Sequence, residues 1–156
     1  MRRITLLRHG KSSYPGGLSD YERPLTERGQ EDAGIMGHLC AQRIGVPDRV
    51  YVSSARRTLE TIELFFQASG GSSPAIHVMD ELYLADAHQW IQILQDDVKS
   101  GHVLLCGHQP GLGILAELWD SQAIGDLPTC GMVSFLEKPE GMVMDIWERP
   151  KHHRGS

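Results

Sequence analysis

Four times over, this sequence changes its period from a short apolar run to a longer stretch with helical spacing. Arg3-Ile4-Thr5-Leu6-Leu7 is β-rich and ends at Arg8-His9-Gly10, which predicts a buried strand. Thr26 is placed to cap a helix that runs to about Arg43, with Ala33, Met36, Cys40 and Ile44 on one face. Val50-Tyr51-Val52 predicts a second strand, and the following helix carries Leu59, Ile62 and Phe66 before Gly70-Gly71-Ser72-Ser73-Pro74 ends it. Ala75 to Met79 predicts a third strand, and Asp86 can cap a helix with Ala87, Ile91, Leu94 and Val98 on one face. His102 to Cys106 is a fourth strand, and Pro110 opens a helix through Leu112, Leu115, Leu118 and Trp119. Val133-Ser134-Phe135 and Val143 to Trp147, joined by Lys138-Pro139-Glu140-Gly141, predict an antiparallel hairpin. Strands alternating with helices predict an α/β fold, a three-layer α/β/α sandwich on a mostly parallel sheet.

The length of 156 residues suits one domain, expected over residues 1–150, with a disordered tail over 151–156. Twenty acidic and 15 basic side chains give a net charge of −5, which weighs against a general nucleic-acid binder. The apolar runs are far shorter than the ~20 residues that cross a bilayer, so no membrane partner is expected. Ile4-Thr5-Leu6-Leu7 between Arg3 and Arg8 is too short for the apolar region of a signal peptide. Cys40, Cys106 and Cys130 form no Cys-x-x-Cys pair and read as reduced, buried thiols of a cytoplasmic protein.

Ligands of α/β sheets bind beyond the carboxyl ends of the strands. Arg8-His9-Gly10-Lys11-Ser12 follows the first strand, Ser53-Ser54-Ala55-Arg56-Arg57-Thr58 the second, Asp80-Glu81 the third, and Gly107-His108-Gln109-Pro110-Gly111 the fourth. Arginines and histidines gathered at one edge of an acidic protein suit a phosphoryl group. A guanidinium matches phosphate oxygens bidentately, and a neutral imidazole can attack phosphorus. Competing signatures are missing or misplaced. No cysteine is followed six residues later by arginine, and no Asp-x-Asp, Gly-x-Ser-x-Gly or phosphate-binding Gly-x-x-x-x-Gly-Lys loop occurs. Gly111-Leu112-Gly113-Ile114-Leu115-Ala116 fits the loose dinucleotide fingerprint but lies several residues past its strand, so Gly113 reads as a helix-packing glycine.

Leu7-Arg8-His9-Gly10 resembles the signature of the histidine phosphatase superfamily, the group that includes the phosphoglycerate mutases. Arg23-Pro24-Leu25-Thr26-Glu27-Arg28-Gly29 resembles the segment leading into that family's first helix. Ser53 to Thr61 resembles its Ser-Pro-x-x-Arg-Ala-x-x-Thr stretch, with Ser54 and Thr58 as departures, a register that selects Arg57 over Arg56. Gly107-His108-Gln109-Pro110-Gly111 resembles the second histidine motif. Arg8-His9-Gly10-Lys11-Ser12-Ser13, Leu82-Tyr83-Leu84-Ala85 and the small size resemble the SixA-type phosphohistidine phosphatases within it.

The resemblance implies a phosphoglycerate mutase-like fold and a phosphatase that needs no cofactor and no metal. It implies that His9 is the nucleophile, that Arg8, Arg57 and His108 hold the phosphoryl oxygens, and that Ser12 adds a hydrogen bond. Glu81 is the positional candidate for proton donor, with Asp80 and Asp86 behind it. The implied substrate is a phosphohistidine-bearing protein, a phosphotransfer domain or phosphocarrier, reached through a site left open by the short connection from Asp80 to Asp86. The alternatives are a phosphatase of a small phosphorylated metabolite and an inactive module that binds a phospho-ligand.

Overall fold

The protein is described here by a computed structural model covering residues 1–71, 74–121 and 126–154. The strands are β1 (Arg2–Arg8), β2 (Arg49–Ser53), β3 (Ala75–Met79), β4 (Gly101–Gly107), β5 (Met132–Lys138) and β6 (Gly141–Glu148). The helices between them are α1 (Glu27–Arg43), α2 (Arg56–Ser69), α3 (Ala87–Asp96) and α4 (Gly111–Trp119). The sheet order is β3-β2-β4-β1-β5-β6. Its β3-β2-β4-β1 part is parallel, and β5 and β6 form the expected antiparallel hairpin.

Strand side chains alternate between the two faces of the sheet. Ile4 and Leu6 of β1 and Val103 and Leu105 of β4 pack with Trp90, Leu94, Leu112 and Leu115 of α3 and α4. Leu7, Leu104 and Cys106 point the other way, into a core with Met36 and Cys40 of α1 and Ile62 and Phe65 of α2. Two helix pairs on opposite faces make the three-layer α/β/α sandwich.

The caps form as read. The Thr26 hydroxyl accepts from Gly29 N at 3.0 Å, and Asp86 closes a capping box with Gln89. Three local expectations need correction. The buried face of α2 is Arg57, Thr58, Thr61, Ile62 and Phe65, whereas Leu59 is exposed and Phe66 only half-buried. Threonine can face inward here because its hydroxyl bonds backbone carbonyls: Thr58 donates to Ser53 O and Ala55 O, and Thr61 to Arg57 O, each at 2.7 Å. Helix α3 stops at Asp96, so Val98 lies beyond it, exposed, and buried Trp90 fills the place beside Leu94. The tail is ordered as far as Arg154: Pro150–His152 forms a 3-10 turn, and Arg154 makes two bonds to buried Asp32 of α1, at 2.9 and 2.6 Å. Gly155 and Ser156, like Ser72 and Ser73 of the Gly70–Pro74 segment, lie outside the described residues.

At the amino ends of the parallel strands, Asp97 gathers cations. Its carboxylate accepts from Arg49 at 2.8 and 2.7 Å, Tyr51 at 2.8 Å and buried Arg2 at 3.2 Å. Burial opposes its charge, yet the bonds from Arg49 and Tyr51 outweigh that and hold its carboxyl below the ordinary value. Asp97→Ala strands Arg2 with only part of its partners, so we expect a loss of about 3 kcal/mol, read as a lower urea midpoint.

Candidate active site

Strands β2, β4 and β1 are neighbours, so the segments that leave their carboxyl ends converge. Arg8 ends β1 and pairs in register with Gly107, the last residue of β4. His9 N donates to Gly107 O at 3.1 Å, and Cys130 N donates to both Arg8 O and His9 O, at 3.1 and 3.0 Å. Gly10 N donates to Thr61 Oγ1 at 3.0 Å, tying the loop to α2. A side chain cannot be added at Gly10 or Gly29: a Cβ would meet Gly29 O at 2.8 Å in the first case and Lys11 O at 2.2 Å in the second. The start of α1 is thus pressed against the His9 loop. Gly107 is needed for another reason, since its Cβ would sit 2.5 Å from the Trp90 ring.

His9, Arg8, Arg57, His108 and Ser12 all line one cavity of about 300 Å³. The rings of His9 and His108 are 5.3 Å apart, centroid to centroid. His9 Nδ1 lies 2.7 Å from Gly10 O. A carbonyl only accepts, so Nδ1 carries the proton and Nε2 keeps its lone pair. Burial, with help from His108, Arg57 and Arg8, pushes the His9 pKa down to about 3.

Arg57 is buried in the first turn of α2. Its Nη1 donates to Asp20 O at 2.7 Å, and its Nη2 to Asp20 Oδ2 at 3.1 Å and His108 Nδ1 at 3.3 Å. A guanidinium only donates. His108 Nδ1 is therefore an acceptor here, and His108 Nε2–H points to Ser53 Oγ at 2.9 Å. Arg8 Nη1 donates to Leu127 O at 3.0 Å, while its Nε is buried with no partner among the described residues. The Ser12 hydroxyl accepts from Arg23 Nη2.

Glu81 is not brought into this group. It is exposed, does not line the cavity, and offers its backbone carbonyl to Gln89. Asp80 is exposed as well, and Asp86 is engaged as the cap of α3. Two neighbours in the same connection stand at the site instead. Tyr83 packs edge-on to His108 with centroids 5.6 Å apart, and Leu84 lines the cavity rim. Leu84 is held at φ 53, a backbone conformation leucine seldom adopts, with its side chain exposed.

Sequence reading missed Asp20, Arg23, Ser53 and Tyr83 as site residues. Asp20 belongs to a 3-10 turn, Asp20–Glu22, in what reads as a featureless loop. Its carboxylate accepts from Tyr83 Oη, from Arg57, and from Arg23 Nη1 at 2.7 Å. The Tyr83 bond, then those from Arg23 and Arg57, hold the Asp20 pKa down at about 2. Arg23 also stacks on Tyr14, 3.5 Å from the ring centroid. Among the described residues no group of three or more His, Cys, Asp or Glu side chains is placed to hold a metal, and no helix is long and apolar enough to cross a membrane.

Residues 4–102 match the family model of the histidine phosphatase superfamily, branch 1. The chain belongs to this superfamily. His108 lies beyond the matched segment, and the fold brings it to the site. An uncharacterised protein of Mycobacterium tuberculosis is 33% identical over 113 residues, covering 70% of this chain and 67% of that protein. Among solved structures, one assigned as the phosphohistidine phosphatase SixA of Agrobacterium tumefaciens superposes with a TM-score of 0.85 at 26% identity, covering 95% of this chain and 97% of that one. A protein histidine phosphatase SixA complexed with tungstate shares the fold at a TM-score of 0.82 and 22% identity, covering 97% and 99% of the two chains. Within the superfamily, then, the chain is SixA-like.

The buried histidines of this superfamily member also shape its response to acid. Burial pushes His9 down to about 3 and His102 and His108 to about 4, whereas in the unfolded chain all three titrate near 6.5. The unfolded chain takes up their protons first as pH falls. Stability should therefore drop below about pH 6.5, by up to about 1.4 kcal/mol per pH unit for each group. A urea midpoint unchanged between pH 7 and pH 5 would contradict this.

Proposed function

We propose that this protein is a phosphatase that works through a phosphohistidine intermediate on His9 and takes protein phosphohistidine as substrate. The observation that carries the chemistry is the fixed His9 tautomer beside two arginines. His9 Nε2 attacks phosphorus, a phosphorus–nitrogen bond forms, and the bond to the substrate imidazole breaks. That imidazole keeps the bonding electron pair and takes a proton from solvent. It is a good enough leaving group to need no dedicated acid, which suits a cavity that Glu81 does not line. Arg8 and Arg57 face the charge that spreads over the phosphoryl oxygens. The Ser12 hydroxyl adds a hydrogen bond. His108 contributes once its Nδ1 carries a proton, which an anionic phosphoryl group favours. Water then attacks phospho-His9 and releases phosphate, returning the lone pair to Nε2.

The substrate class is supported by the rim of the cavity. Tyr14 is 79% exposed and Leu84 57% exposed, and both line it. Only the segment from Asp80 to Asp86 separates β3 from α3. An open mouth with an apolar lip suits a histidine presented on a protein surface better than a small sugar phosphate. The test compares initial rates on a phosphohistidine-bearing protein, free phosphohistidine and a panel of sugar phosphates. The protein should give the highest kcat/KM. Preference for a sugar phosphate would replace the substrate with a metabolite, and binding of phosphate without turnover of anything would leave a binding module.

A further inference from the structure

The contacts of Arg57 raise a question of occupancy. Nη2 has two protons, and both are taken, one by Asp20 Oδ2 at 3.1 Å and one by His108 Nδ1 at 3.3 Å. Nη1 gives one of its protons to Asp20 O at 2.7 Å. The Nη2 proton that faces Asp20 Oδ2 can reach a phosphoryl oxygen only if that carboxylate moves away. The two sides of the Asp20–Arg57 pair differ in freedom. The Arg57 side chain is 4% exposed and that of Asp20 46% exposed. No residue of the turn carrying Asp20 is buried. The carboxylate can turn away from Arg57 without unpacking anything, and the guanidinium cannot.

We propose that Asp20 is a built-in counter-anion for Arg57, a positioning residue that holds the guanidinium in place and yields it to an incoming phosphoryl group. The inference rests on the phosphate-site reading above. The bond from Nη1 to the Asp20 backbone carbonyl keeps the guanidinium oriented during the exchange. The Asp20 carboxylate moves to its remaining partners, Arg23 and Tyr83. When phosphate leaves, the carboxylate returns. Asp20 therefore competes with both substrate and product for the same cation. It weakens phosphate binding and favours release, the opposite of what a purely structural partner would do.

Asp20→Asn keeps the shape and the backbone carbonyl but removes the charge. Titration of the wild type and Asp20→Asn with inorganic phosphate, followed by calorimetry, should show the variant binding about fivefold tighter, the upper range for a half-exposed ion pair. Its KM should fall, and inhibition by phosphate should strengthen. Tyr83→Phe removes one of the partners the displaced carboxylate keeps, so this second variant should bind phosphate more weakly than the wild type. Phosphate bound by the wild type, with equal or weaker binding by Asp20→Asn, overturns the inference and leaves the phosphate site intact. Failure of the wild type to bind phosphate overturns both.

Discussion

Replacing His9 with alanine should stop phosphate release, by about a million-fold where the nucleophile of a covalent enzyme is lost. The expectation follows from what His9 alone supplies. Its Nδ1 is spent on Gly10 O, and its pKa of about 3 leaves Nε2 unprotonated at any physiological pH. His108 cannot substitute, because its Nδ1 faces Arg57 and its Nε2 faces Ser53. The loss should fall on kcat with the fold unchanged, since the backbone bonds of the loop, His9 N to Gly107 and Gly10 N to Thr61, do not involve the imidazole. Incubation with a phosphorus-labelled phosphohistidine protein should leave label on the wild type that is acid-labile and alkali-stable, and none on His9→Ala. Turnover surviving in His9→Ala would sink the assignment of the nucleophile.

The second large effect is a contrast between adjacent arginines. Arg57→Ala should reduce kcat/KM by about 10²–10³-fold, the scale of losing one preorganised charge donor. Arg56→Ala should change it by less than about twofold, and stability by about 0.3–0.5 kcal/mol, the scale of an exposed i,i+4 pair. The structure separates them sharply. The Arg56 side chain is 51% exposed and bonds Glu60 at 3.1 Å, one turn along α2. Arg57 is buried, lines the cavity and touches His108. Arg57→Lys should fall between the two alanine variants, because an ammonium keeps the charge and loses the planar fork. Equal damage from Arg56→Ala and Arg57→Ala would undo the register that places Arg57 at the site.

What the sequence made legible follows from where the information is stored. Strand–helix alternation is written in local periodicity, and the caps Thr26 and Asp86 are single-residue signals, so the layers and the hairpin could be read directly. Arg8, His9, Arg57 and His108 could be found because each lies at or just past the carboxyl end of a strand, and adjacency of β2, β4 and β1 does the rest. The misreadings have physical causes. On α2 the apolar residues Leu59 and Phe66 outweigh the threonines, yet Thr58 and Thr61 go inward because their hydroxyls find backbone carbonyls three to five residues back along the chain. Asp20 and Tyr83 meet across 63 positions, through side chains borne by segments with no periodic signal. Arg154 is held by one buried partner, Asp32, 122 positions away, which no local pattern encodes.

Arg8, Arg57 and His108 reach the cavity from the end of β1, the first turn of α2 and the segment after β4, and meet only when the sheet is assembled. A phosphate anion held by all of them acts as a reversible cross-link between distant parts of the chain. It binds the native arrangement and not the unfolded one, so it should raise the melting temperature in proportion to the logarithm of its concentration above Kd. Thermal melting with added phosphate thus becomes a gauge of site assembly that needs no substrate, and it applies equally to variants with no turnover.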